Sequence, residues 1–185
     1  MKFPQHDYSD QLSKAISGDK QAFGSLYEYF YNQIFNYLLI RTGNRDEAED
    51  MTEVVFLKTW DHLSSFSLKN GPHSFRAWLF RIAHNTLVDH YRKKRDVQSF
   101  EKVDISGSIK ENPEWILHEK ESTRELIQAL STLDVQAQHV IVSRFFSKLS
   151  HKETAQSLGI SEGNVRVIQF RALEKLRKIL KEKNE

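Results

Sequence analysis

Cysteine is absent from this chain of 185 residues, which excludes disulfide frameworks, thiolate zinc sites, iron–sulfur clusters and cysteine nucleophiles. Glycine (7) and proline (3) are scarce, which points to a mainly helical chain with few tight turns. No apolar run approaches the roughly 20 residues that cross a bilayer, so no membrane insertion is expected. The first ten residues carry acids and lack an apolar segment, unlike a signal peptide. No HExxH or comparable two-ligand spacing organises the 8 histidines. Phosphate loop, dinucleotide glycines and nucleophile elbow are missing too. The expectation is therefore a cytoplasmic, all-α protein with no metal, no cofactor and no catalytic group.

What is present is enough apolar material for one or two modest cores (39% hydrophobic, 11% aromatic) and an uneven charge pattern beneath a net charge of +2. Between Arg76 and Arg95 six Lys/Arg stand against Asp89 alone, and between Ser161 and Lys183 seven stand against three Glu. Asn44 to Glu53 is the reverse, with Asp46, Glu47, Glu49, Asp50 and Glu53 against Arg45. Two basic helices and one acidic segment suggest two polyanion contacts and a third surface for a different partner. The plain alternative is a set of solvated helix faces.

Apolar periodicity predicts a short helix from Asp10 to Ser17, then a long one through Phe23, Leu26, Phe30, Ile34 and Leu38, ended by Gly43. Asp46 to His62 resumes helix with acids in its first turn, where the macrodipole favours them. Leu63 to His73 reads as a loop, and Ser74 as the cap of a fourth helix burying Phe75, Trp78, Leu79, Ile82, Ala83 and Thr86. His84, Asn85, Val88 and Arg92 are expected to share its other face. Residues 10–95 thus form one helical domain, 96–118 a flexible acidic linker, and 119–185 a second helical domain.

Within that second domain, Thr154 to Gln169 carries a helix-turn-helix pattern. Ala155 is small where two helices approach, Gly159 suits a left-handed turn, and Leu158, Ile160, Val165 and Ile168 fall at burying positions. Ser161 can cap the second helix, whose outward residues are read as Glu162, Asn164, Arg166, Gln169, Phe170 and Arg171. Arginine can pair bidentately with a guanine edge, Asn or Gln with an adenine edge, and Phe can rest on a thymine methyl. An inward-turned Phe170 is the competing placement, since Val167 and Ile168 are adjacent.

These residues resemble a known family. Leu130 to Leu133, Val140 to Phe146, Ser150 to Ile160 and Gly163 to Arg177 are similar to the C-terminal promoter-binding domain of bacterial sigma factors. Asp46 to Trp60 resembles the segment that docks on polymerase, and Phe75 to Arg92 the helix that reads the minus-ten element. The order of the segments and the short chain are similar to the extracytoplasmic function (ECF) group, which keeps two domains only. The resemblance implies an ECF sigma factor with RNA polymerase core (clamp coiled coil and flap) and promoter DNA as partners, and an anti-sigma protein as an inhibitor. It implies polymerase contacts at Asp50, Glu53, Phe56 and Trp60. Minus-ten contacts fall on Asn85, His84, Arg81, Arg92 and Lys93, with Asn70 from the preceding loop. Minus-thirty-five contacts fall on Ser161, Asn164, Arg166, Gln169, Phe170, Arg171 and Lys178. A stand-alone helix-turn-helix regulator is the alternative, but it leaves the first domain without a role.

Overall fold

The computed structural model describes residues 8–67, 73–97 and 121–182, and every regular element among these is helical. Four helices make the first half: α1 (Ser9–Ile16), α2 (Lys20–Thr42), α3 (Arg45–Leu63) and α4 (His73–Val97). In the second half come α5 (Glu121–Ser131), α6 (Val135–Ile141), a π-helical turn (Val142–Phe146), α7 (His151–Leu158) and α8 (Glu162–Glu182).

Side-chain chemistry sets the boundaries. Asp19 starts α2 by accepting from the amides of Gln21 and Ala22, and Asn44 starts α3 by accepting from Glu47. Between them Gly43 closes α2 at φ 66°, a left-handed position that glycine occupies without a Cβ clash. Ser150 and Glu153 form a reciprocal capping box at α7, and Gly159 ends that helix at φ 67°. The fourth helix starts at His73, so Ser74 lies inside its first turn rather than at its cap. Its last turn runs to Val97, two residues into the expected linker. The remainder of that linker, and residues 68–72 of the expected Leu63–His73 loop with Asn70 among them, lie outside the described residues.

Helix α2 is the axis of the first half. Leu26, Phe30, Ile34, Tyr37 and Leu38 are all buried along it, with α1 contributing Leu12, α3 Met51 and Val55, and α4 Phe75 and Leu79. Each such side chain contributes roughly 1.5–3 kcal/mol by leaving water. The buried cluster continues without a break into Leu130, Leu133, Ile141, Val142 and Leu176, so the two halves share one core. A smaller cluster of Val140, Ala155 and Val165, flanked by Leu158, Ile160 and Ile168, fixes α7 against α8. That is the helix-turn-helix expected from the sequence.

Two substitutions test the local devices that hold it. Ser150→Ala removes half of the capping box and should cost about 1 kcal/mol. Gly159→Ala meets no neighbouring atom among the described residues, so its cost there is backbone strain, about 1–2 kcal/mol. Urea denaturation of both variants checks this, and a neutral Gly159→Ala would contradict the left-handed turn.

Candidate functional site

Three surfaces carry the residues singled out in the sequence. On α3, Asp46, Asp50, Glu53, Val54, Leu57 and Asp61 all face outward, spaced for one helical stripe. The other acids of this segment are engaged locally: Glu49 pairs with Arg45 at 2.8 Å, and Glu47 meets His90 at 3.2 Å and Lys94 at 3.4 Å on α4. Leu57 is 65% exposed, whereas Phe56 is 4% exposed and packs on Tyr27 with ring centroids 4.6 Å apart. This corrects the expectation that Phe56 offers itself to a partner, because the α2–α3 seam claims it. Trp60 is half-buried against Phe23, 4.9 Å between centroids. Lys20, Phe23, Tyr27, Glu53, Leu57 and Trp60 border a groove of about 480 Å³ between the two helices. Leu57 and Val54 were legible as the apolar members of the Asp50/Glu53 stripe, at i+7 and i+4 from Asp50.

The second surface is the outward side of α4, where Arg81, Asn85, Val88 and Arg92 are exposed on one stripe and Lys93 is exposed beside it. His84 does not share it. Its ring sits edge-on to His139 of α6, 4.3 Å between centroids, and burial together with the nearby Arg41 charge pushes its pKa down to about 4. The buried arc of α4 is wider than its periodicity suggested. Arg76 and His84, at i and i+8, face the second half instead of water, and Phe80 between them packs edge-on to Tyr37 of α2. Trp78 is half-buried against Phe66 and Phe75, as expected of a packed ring.

The third surface is α8. Ser161 accepts from the amide of Asn164 at 3.2 Å and so starts the helix. Arg166, Phe170, Arg171 and Lys178 are exposed, and Phe170, at 63%, faces out rather than in. The Arg166–Glu162 pair at 3.6 Å is solvated and weak enough to yield to a better partner. Gln169 is turned away, its side-chain oxygen accepting from Arg144 Nε at 3.2 Å. This corrects its placement among the outward residues. Val167 and Leu173, 48% and 40% exposed, join the outward face and were missed because apolar residues beside an HTH seam read as core.

The chain matches the family model for Sigma-70 region 2 over residues 26–97 and that for Sigma-70, region 4 over residues 129–178. It is 34% identical over 165 residues to the RNA polymerase sigma factor YlaC of Bacillus subtilis, covering 86% of this chain and 92% of that protein. Against the ECF RNA polymerase sigma factor BldN of Streptomyces coelicolor the identity is 31% over 172 residues, covering 91% of this chain and 64% of BldN, so this chain spans less than two thirds of that relative. The fold is similar to that of CnrH, solved with the cytosolic domain of CnrY (TM-score 0.74, 24% identity, 95% of this chain and 99% of that one). It is also similar to the fold of sigma factor RpoE of Bartonella quintana, solved with the anti-sigma factor NepR (TM-score 0.71, 22% identity, 87% and 98%). Both halves of the chain thus match in the order set by its acidic helix and its helix-turn-helix, and the chain belongs to the ECF RNA polymerase sigma factors.

Proposed function

We propose that the chain binds core polymerase through the outward stripe of α3, reads the minus-ten element with α4 and reads the minus-thirty-five element with α8. The observation that carries the reading is the division of labour on α4 and α8. Each buries an apolar stripe and leaves Arg81, Asn85 and Arg92, or Arg166, Phe170 and Arg171, facing solvent. Such sets supply cations for phosphate and fork-shaped or amide groups for base edges. The chemistry asked of the chain is binding and positioning, with no catalytic group, and its place is beside polymerase in the cytoplasm. The anti-sigma partner of one fold relative supports inhibition of this chain by a similar protein. A regulator acting on duplex DNA alone would leave the acidic stripe and groove of α3 without a purpose.

Polymerase docking separates from stability on neighbouring residues. Leu57→Ser, or Asp50→Lys with Glu53→Lys, should weaken core binding about tenfold or more with an unchanged melting temperature. Phe56→Ala should instead cost about 3–5 kcal/mol of stability. Core-binding titration beside thermal unfolding checks this, and unchanged affinity in the Leu57 and double variants would refute the α3 assignment.

Asn85→Ala should reduce open-complex formation more than upstream duplex binding. Permanganate footprinting reads the effect, and wild-type reactivity would remove Asn85 from base reading.

On α8, Arg166→Ala and Arg171→Ala should alter the upstream motif recovered from a promoter library, each base contact discriminating by about 1–3 kcal/mol. Lys178→Ala should leave the motif intact and lower the salt slope by about one. Identical motifs from all three variants would mean that α8 reads no bases.

A further inference from the structure

A cavity of about 660 Å³ opens where α2, α4, the π-helical turn and α7 meet, and it shares no lining residue with the groove beside Trp60. Its volume falls within the roughly 300–1,000 Å³ of small-molecule sites. Three cations line it, Arg76 of α4 with Arg144 and Lys148 from the π-helical turn and just beyond it, against one carboxylate, Glu153 of α7.

Two of these four charges are already engaged. Glu153 accepts from the Ser150 amide at 2.7 Å and lies 3.7 Å from Arg76. Arg76 donates to the carbonyls of Ser147 and Lys148 and, at 3.3 Å, to Oε1 of Gln33. The other two have capacity left. Arg144 donates through Nη1 to the Leu149 carbonyl and through Nε to Gln169 of α8, while its Nη2 makes no hydrogen bond among the described residues. Lys148 is exposed and pairs with no acid among them. Its backbone is left-handed at φ 54°, an uncommon conformation for a residue other than glycine.

Ser147, between these cations in sequence, lines the same cavity and is 5% exposed. Its hydroxyl is buried without a hydrogen-bond partner among the described residues. Such a group costs free energy until something bonds it. Burial pushes the Tyr8 hydroxyl on the opposite wall up to about 12 against the pull of the Arg76 charge, so it adds no negative charge there. The rest of the lining includes Tyr29 and Phe146, the latter 41% exposed. An exposed ring beside cations with donors to spare suits a ligand that is both flat and anionic.

We propose that this cavity binds a nucleotide, its phosphates on Arg144, Lys148 and the Ser147 hydroxyl and its base against Phe146.

A free phosphate would fill a small part of the volume and leave Phe146 in water. An uncharged ring would leave Arg144 and Lys148 without an anion. The lining comes from both halves of the chain, so a bound nucleotide adds to the contacts that join them, and stability rises with its concentration by mass action. Arg144 also connects the site to the reading helix, because the same guanidinium holds Gln169.

The full-length chain, without polymerase or DNA, is titrated calorimetrically with ADP, pyrophosphate and adenosine in turn. ADP should bind one to one and raise the melting temperature, with pyrophosphate and adenosine each at least about tenfold weaker. Lys148→Asn removes a cation while suiting the left-handed backbone, and it should weaken ADP about tenfold without lowering the melting temperature of the free chain. Ser147→Ala should also weaken ADP and leave the free chain no less stable, because it deletes an unpaired buried hydroxyl. Phe146→Ala should weaken ADP but not pyrophosphate. Lys181→Asn, an equal loss of charge at an exposed position near the end of α8, should change nothing. Absent ADP binding, pyrophosphate binding as tightly as ADP, full ADP affinity in both Lys148→Asn and Ser147→Ala, or an equal loss in Lys181→Asn would each overturn the nucleotide site. These readouts involve no promoter, so they stand or fall apart from the assays of α3, α4 and α8.

Discussion

Helix α4 is covered on two of its sides, and that fixes what its third side can do. Phe75, Leu79, Phe80, Ala83 and Thr86 settle into the first half, while Arg76 and His84 meet the second. With two stripes committed, the rotation of the helix about its axis is no longer free. Arg81, Asn85, Val88 and Arg92 face solvent because every other direction is occupied. The tie of Glu47 to His90 and Lys94 and the bond from the Tyr91 hydroxyl to the Arg41 carbonyl at 2.7 Å fix the far end in the same register.

The polar groups at this junction differ from those on the outer surfaces. Outside, Arg166–Glu162 and Arg45–Glu49 are solvated pairs that add little to stability and can be traded for another partner. Inside, Tyr37, His84, His139 and Arg41 are costly to dehydrate, so each geometry matters more. The apolar side chains of the shared core hold the halves together, and these polar groups specify how they meet.

Helices and their ends were legible in the sequence because capping, glycine turns and three- and four-residue periodicity are local. Gly43, Gly159 and Ser161 each act within a few residues of their own position. The helix-turn-helix was legible for the same reason, its seam being built from residues 155 to 168. What one helix shows another helix was not legible. Periodicity gave α4 one buried stripe, and only the approach of α6 and α7 drew His84 and Arg76 away from water. Phe56 goes to the α2–α3 seam while Leu57, one residue and about 100° further round the helix, faces out, because an apolar run does not announce which member the neighbour will take. Gln169 was misplaced because its captor, Arg144, is 25 residues away.

The π-helical turn at Val142–Phe146 sets the phase of everything after α6. A turn closed one residue late acts as a single-residue insertion, and it shifts the following chain by a fraction of a revolution relative to a continuous α-helix. Val142 and Ser143 stay inside, whereas Phe145 and Phe146 emerge at 51% and 41% exposure. Arg144 then reaches back to the Leu149 carbonyl and across to Gln169, tying the displaced strand of chain to α8. The azimuth of α8 relative to the first half is thus an angular offset written into the backbone, as a shim sets the angle between two machined faces. Related chains that lack the extra residue would point the same side chains in a different direction even with every residue of α8 unchanged.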